Sequence, residues 1–401
     1  MADNSSIDEE RVSHGKLFLP SLAMSYFAAG PLGVLVSLLL IDIGNTFNVS
    51  VGIMGQINTP YSIVAVVVAL LMGFLSVRFK HKSLLLIGLL FINVSALGCF
   101  LASEYNVMLV SYSLSGLGWA MVSPMAVTLI GEHLPLEKRP NAVGWIVAGG
   151  SLAYFIGAPV VASISGIGGW RFALMVFVIP VSLVGLMLAF VGLRSTSHAQ
   201  QPAIDRQTYL RGFKEVLSNR SAAACLIGDA LRSAAFVAIL IYGASFFIQR
   251  FSVSRSIASV VILGAAACYT LGSLFSSRLV NKLGRKPSTV STALLAGAFT
   301  ISYVYVPEVW LSLTLNLAAS WFFGMVTSAS NSLTLEQIPK FRGTMMSIDS
   351  AAINLGSALG TIAGGLALLS FDYEGLGSAL GVMGVAAALI YHLLAIDPTK
   401  T

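Results

Sequence analysis

Charge is what this chain has least of. Only 10% of its 401 residues are Asp, Glu, Lys or Arg, while 56% are apolar; a soluble domain carries about 25% charged residues. A water-facing surface cannot be built from so little charge, so most of the surface is expected to face lipid. Cysteine is also scarce. Cys99, Cys225 and Cys268 all fall inside apolar runs, a pattern of small packing residues rather than of a disulfide framework or a metal site. The five histidines are scattered, mostly at loops and termini. No phosphate loop ending in Lys-Ser/Thr is present, so ATP is not the expected energy source. Gly116-x-Gly118 follows no strand and lacks the third glycine of a nucleotide loop. No Ser/His/Asp set and no metal-ligand cluster stands out, so no enzyme is expected, and no cofactor beyond a coupling proton. No basic stripe interleaved with aromatics points to nucleic acid.

Long apolar runs are abundant. A span needs roughly 20 apolar residues to cross about 30 Å of hydrocarbon. Twelve runs qualify: 18–41, 53–77, 83–102, 107–131, 142–165, 171–193, 222–248, 256–277, 288–306, 309–333, 344–369 and 376–396. Strands of a membrane barrel are about 10 residues long and alternate apolar with polar. These runs are twice that length and apolar all round, so an all-α membrane protein of twelve helices is predicted. Nineteen of the 23 Lys and Arg residues fall in the N-terminus, the even-to-odd loops and the C-terminus, and three in the opposite loops. The positive-inside rule then places both termini in the cytoplasm of a multi-pass cell-membrane protein.

The longest break, 194–221, divides six spans (1–193) from six (222–401). Within it Tyr209, Leu210, Phe213, Val216 and Leu217 recur at helical spacing among Arg206, Arg211, Lys214 and Arg220. This predicts a short basic amphipathic helix on the cytoplasmic membrane surface. The two halves repeat at an offset near 204: the basic stretch from Arg78 to Lys82 answers Lys282 to Lys286, and Glu132-His133-Leu134-Pro135 answers Glu336-Gln337-Ile338-Pro339. Two same-way-up six-helix halves are the plan of one large class of transporters.

Several motifs carry a family resemblance: Gly73 followed by the basic stretch to Lys82, Leu114-Ser115-Gly116-Leu117-Gly118 in span 4, Gly157-Ala158-Pro159 in span 5, and Gly169-Trp170-Arg171-Phe172 before span 6. Pro339 to Gly343 lead into span 11, which carries Leu355-Gly356 and Leu359-Gly360. Over nearly its whole length the sequence resembles the major facilitator superfamily, and within it the drug and sugar efflux permeases of the twelve-helix proton-antiporter group. The resemblance implies alternating access between two pseudo-symmetric bundles, with Gly73, Arg78, Lys82, Gly284, Arg285 and Lys286 in gating loops. The pattern also has departures. Val77 and Asn281 stand where the family's loop motif has an acid, Lys80 replaces its glycine, and Tyr112 replaces the span 4 arginine of proton-coupled antiporters. The implied fold is untouched by these changes; the implied proton antiport is weakened.

Charge inside a span costs about 2.5–3.5 kcal/mol on insertion scales, so each such residue is a functional candidate. Asp229 and Arg232 are three apart in span 7 and share a helix face. They lie roughly 10 and 15 Å from the start of the span, near the midplane. The pair is expected either to serve binding and coupling or simply to neutralise itself and hold span 7 in place. Asp349 in span 11 is the next candidate, with the vestibule or the basic loops as its plainer surroundings. His392 reads as an interfacial residue and Asp42 as a helix-end residue. Tyr26, Gln56, Asn58, Tyr61, Asn93, Tyr154, Tyr269, Asn316, Trp321, Asn331 and Asn354 could line a cavity or bond helix to helix.

The leading expectation is ion-gradient-driven efflux of small amphipathic compounds by a protein that works as a monomer in the lipid bilayer. A second is import of a small organic anion anchored by Arg232, and a third a membrane sensor that does not transport.

Overall fold

In lipid no backbone polar group can stay unpaired, and a helix satisfies all of them within one segment. The computed structural model describes residues 17–135, 138–193 and 206–398, and among them there is no strand. Nine helical stretches among the described residues are long and apolar enough to cross a bilayer. Two of them, Asn141–Gly192 and Pro339–Leu394, have 52 and 56 residues, about twice what one crossing needs. The first turns at Gly169, where φ is 78°, and the second at Phe371 and Asp372, the latter at φ 54°. Each is therefore two crossings. Arg285–Tyr305 supplies one more, and its Ser- and Thr-rich first half makes it the least apolar of the set.

Span 1 is Phe18–Ala29 and Pro31–Leu38, and a short helix Leu40–Thr46 continues it. Pro31 lacks the N–H that would bond back one turn, so the helix bends at Gly30. Span 2 is Asn58–Arg78, span 3 His81–Leu101 and span 4 Tyr105–His133. Span 5 covers 139–168 and span 6 170–192, the latter with a π turn at Leu174–Val178 just ahead of Pro180. Span 7 is Arg220–Leu240, capped by the Asn219 side chain, which accepts from the N–H groups of Ser221 and Ala222. Span 8 is Arg255–Leu283, span 9 Arg285–Tyr305 and span 10 Val309–Leu335. Spans 11 and 12 cover 342–370 and 373–394.

The internal repeat is visible in the packing. The Ala23 carbonyl of span 1 lies against Gly149 of span 5, and the Ala230 carbonyl of span 7 lies against Gly356 of span 11. The Tyr61 carbonyl of span 2 lies against Gly116 of span 4, and the Tyr269 carbonyl of span 8 against Gly324 of span 10. A Cβ at any of these four glycines would overlap the opposing backbone, so only glycine allows the helices to come this close. The first pair of contacts repeats at 207 residues and the second at 208, slightly beyond the 204 that relates the loops.

Span 2 packs on span 11 and span 5 on span 8, and these pairs join the halves. On the side away from the chain ends the join is tight. Asn58 Nδ2 donates to Ser357 Oγ at 2.9 Å, the hydroxyls of Thr59 and Thr361 meet at 2.8 Å, and Ser37 Oγ donates to the Leu240 carbonyl at 2.7 Å. Gly52 faces the Gly365 carbonyl so closely that a Cβ there would stand 2.8 Å from it. An ion pair joins Asp42 to Arg255. Asp42, read from the sequence as a helix-end residue, is thus also half of a contact between the bundles.

The linker helix is Arg206–Ser218. Gly212 abuts Phe341 and Thr344 at the start of span 11, and Val216 is fully buried. Its Phe213–Val216 face docks on the C-terminal bundle. The side chains of Tyr209 and Leu210 lie outside the described residues.

Candidate functional site

Asp229 and Arg232 sit halfway along span 7, on the face turned into the C-terminal bundle. Both are buried, Asp229 at 0% exposure and Arg232 at 5%. Arg232 donates to Asp229 Oδ1 through Nε at 3.0 Å and Nη2 at 2.8 Å. Span 10 completes the carboxylate: Ser330 Oγ donates to Oδ1 at 2.7 Å and Thr334 Oγ1 to Oδ2 at 3.0 Å. Four donors on one carboxylate are what a buried charge requires to persist in low dielectric.

Asp349 of span 11 is buried at 1% exposure and lies beside Asp229, near enough for the two carboxyls to interact; Arg232 interacts with both. The side chain of Asp349 is thus enclosed with Asp229 and Arg232. Its Oδ1 has no hydrogen-bond partner among the described residues, and neither has the buried hydroxyl of Tyr391, on span 12. The ring of Tyr391 packs on Gly228, next to Asp229. Cys225 also adjoins the two carboxyls. Two carboxyls and one guanidinium therefore share one enclosed volume, so acids outnumber the base there.

Above this cluster the boundary between halves is aromatic. Tyr61 and Tyr112 have ring centroids 5.5 Å apart, and Tyr269 stacks on Phe236 at 5.0 Å. Tyr154 of span 5 is close enough to interact with both Tyr61 and Tyr269. Tyr61, Tyr154, Tyr269 and Phe236 are all half-buried. Tyr26 stands edge-on to Trp119 at 5.1 Å, and its hydroxyl is taken up by Ser123. Tyr112, which stands where the antiporter arginine was expected, is part of this aromatic group.

One hydroxyl ties the aromatic wall to the charges. Thr327 Oγ1, on span 10, accepts from Arg232 Nη1 at 2.7 Å and from the Tyr269 hydroxyl at 3.1 Å, and donates to the Phe323 carbonyl at 2.7 Å.

Other candidates from the sequence are placed elsewhere. Asn58 belongs to the closure between halves, and Gln56 lies against Gly365 in the same region. Asn93 bonds to Ser182 and holds span 3 to span 6. Asn354 turns back to its own helix at the Ser350 carbonyl. Asn316 is fully buried with neither side-chain atom bonded among the described residues, and Asn331 has a buried Oδ1 in the same condition. Trp321 is half-buried against Phe275. In the loops, Lys82 donates to the Phe190 and Leu193 carbonyls and so caps span 6. Arg285 bonds Ser332 and approaches Asp397, Arg78 is exposed, and Lys286 is half-buried. Gly284 has φ 96°, which only glycine adopts easily, whereas its counterpart Lys80 is extended at φ −62°. That is why the first half can replace the motif glycine with lysine. The surroundings of Gly73 and Val77 lie outside the described residues.

Sequence reading passed over Thr327, Ser330 and Thr334. Their spacing of three and four on one helix face was the available signal.

The model of the Major Facilitator Superfamily matches this chain over residues 21–268 and 231–401. The chain belongs to the major facilitator superfamily. It is a multi-pass membrane transporter of small molecules, not an enzyme. Among its relatives is the MFS-type transporter YwfA of Bacillus subtilis (strain 168), 22% identical over 98% of this chain and 96% of YwfA. A crystal structure of a D-xylose-proton symporter is similar at a TM-score of 0.78, with 19% identity over 97% of this chain and all of that one. A bacterial homolog of the human lysosomal transporter Spinster, in an inward-facing and occupied conformation, is similar at 0.74, with 18% identity over 94% and 95% of the two chains.

Proposed function

We propose that this superfamily member exports small amphipathic molecules, monovalent organic cations foremost, in exchange for protons that bind at the Asp229–Arg232–Asp349 cluster. The observation that carries the reading is the uneven charge. With both carboxyls ionised, the single guanidinium leaves one negative charge uncompensated where almost no water reaches, at a cost of several kcal/mol. A bound proton removes that charge. So does a cationic cargo approaching along the half-buried rings of Tyr61, Tyr154, Tyr269 and Phe236, whose faces attract cations by about 0.5–2 kcal/mol each. Proton and cargo then compete electrostatically for one deficit, which is the thermodynamic content of antiport.

Direction rests on a separate argument. The Lys and Arg bias favours a cytoplasmic location for the chain ends, and the tight contacts between halves lie on the side away from them. With the far side closed, this is the state in which an exporter would load its cargo. The opposite state requires the Asn58–Ser357, Thr59–Thr361 and Asp42–Arg255 contacts to part.

The anion-import reading carries less. Arg232 already commits two N–H groups to Asp229 and a third to Thr327, and the second carboxyl makes the site repel an anion.

Proteoliposomes with an acidic lumen test the function. Ethidium is expected to accumulate inside against its gradient, to stop when nigericin collapses the pH difference, and to be left undriven in Asp349→Asn. Accumulation indifferent to the pH gradient would contradict proton exchange.

A further inference from the structure

A coupled transporter needs more than two adjacent sites; something must make the occupancy of one alter the other. Thr327 is the atom-level connection. Its hydroxyl spends its one proton on the Phe323 carbonyl and fills its acceptor positions from Arg232 on one side and Tyr269 on the other. Both donors meet on this one oxygen, so Arg232 and Tyr269 are held by the same hydroxyl. Arg232 belongs to the charge cluster; Tyr269 belongs to the wall of the cargo space, stacked on Phe236 at 29° between ring planes.

We infer that Thr327 is a positioning residue that transmits the protonation state of the Asp229–Asp349 pair to the cargo-facing ring of Tyr269. The inference rests on the proton-exchange reading above. A hydronium ion gives its proton to a carboxylate of the pair: one O–H bond of hydronium breaks, the carboxyl O–H forms, and neutral water leaves. The neutralised pair holds Arg232 less strongly, its guanidinium shifts, and Thr327 Oγ1 loses the Nη1 donor. The Tyr269 hydroxyl then competes alone for that oxygen, and its ring moves relative to Phe236. The groups that face the carboxyls are Arg232 and Cys225 of span 7, Tyr391 of span 12 and, through Arg232, Tyr269 of span 8. Span 10 adds the hydroxyls of Ser330 and Thr334 on Asp229 and that of Thr327 on Arg232. Among these groups Arg232 moves with the charge of the pair, and Thr327 is bonded to Arg232 and to the cargo wall at once.

The bridge predicts a separation that a merely structural residue would not give. In Thr327→Val the shape is kept and the hydroxyl removed; in Thr327→Ser the hydroxyl returns. Ethidium binding to the purified full-length chain is measured by fluorescence polarisation at pH 6 and pH 8. Coupling free energies typical of linked sites correspond to about 5- to 150-fold changes in affinity, and the wild type is expected to fall in that range. Thr327→Val is expected to bring the ratio between the two pH values below about twofold, Thr327→Ser to restore it, and Tyr269→Phe, which cuts the other end of the bridge, to flatten it as Thr327→Val does. A pH-dependent wild type with an equally pH-dependent Thr327→Val overturns the bridge and leaves proton exchange standing. A wild type whose affinity is flat with pH, or that binds no ethidium, overturns proton exchange of cations and the bridge together.

Discussion

Arg232 grips Asp229 through two N–H groups aimed at the same oxygen, Oδ1, at 3.0 and 2.8 Å. Oδ2 is left to Thr334. The grip is one-sided, and it leaves the guanidinium's Nη1 to reach Thr327. Breaking a buried pair by deleting one partner costs about 3–5 kcal/mol, while replacing both with packed neutral groups is close to neutral. Arg232→Met is therefore expected to lower the thermal midpoint in detergent well below wild type, and Asp229→Asn/Arg232→Met to recover most of the loss. Equal midpoints for the single and double variants would show that the pair is not held as a buried unit.

Asp349→Asn is expected to be at least as stable as wild type, because it keeps the shape of a neutral carboxyl and can never place a second negative charge beside Asp229. The same variant should lose proton-driven transport yet still exchange labelled ethidium across the membrane when no gradient is applied. A thermal scan beside an exchange assay checks both halves of the statement.

The glycine contacts between spans predict a sharp contrast. Gly356→Ala forces a methyl into the Ala230 carbonyl, and Gly149→Ala forces one into the Ala23 carbonyl. Overpacking of this kind costs about 1–3 kcal/mol. Gly131 and Gly144 have open space where a Cβ would go, and alanine there is expected to be neutral or to gain up to about 1 kcal/mol from helix propensity. Thermal midpoints of the four single variants decide it.

The outer closure should respond in proportion to burial. Asp42 and Arg255 are partly exposed, and such pairs are worth about 0–1 kcal/mol, so Asp42→Asn is expected to shift the balance between states by less than about fivefold. Gly52→Ala meets the Gly365 carbonyl and Leu369 directly and should open the outer side much further. Thr59→Cys, labelled from outside by a membrane-impermeant maleimide, reads the difference. Labelling no faster in Gly52→Ala than in its parent would contradict the assignment of this contact as the closure.

How much of this was legible beforehand follows from which interactions are local. Asp229 and Arg232 share a helix face by spacing alone, and their depth follows from the length of span 7. Asp349 stands 117 residues further on in the sequence. Its position beside Asp229 comes from the glycine-mediated approach of span 11 to span 7, which no local pattern encodes. Hydroxyls such as Thr327 are common in membrane helices and mostly bond to their own backbone, as Thr314 and Ser320 do here. A bridging hydroxyl cannot be told from these without the facing helices. The polar residues Asn58, Asn93 and Asn354 looked alike in the sequence; the structure gives them a bond between halves, a bond between neighbouring spans and a bond within one helix. The apolar run of span 9 covers 288–306, yet the helix begins at Arg285, ahead of Pro287. A proline in the first turn lacks only an N–H that has no partner there.

The central claim is that cargo and proton contend for one negative charge at Asp229 and Asp349. Its most direct test is calorimetric titration of the purified protein with ethidium near pH 7, repeated in buffers of different ionisation enthalpy to count protons. The account predicts release of up to about one proton per ethidium bound by the wild type, and none by Asp349→Asn. Binding by the wild type without proton release, or the same release from Asp349→Asn, would contradict it.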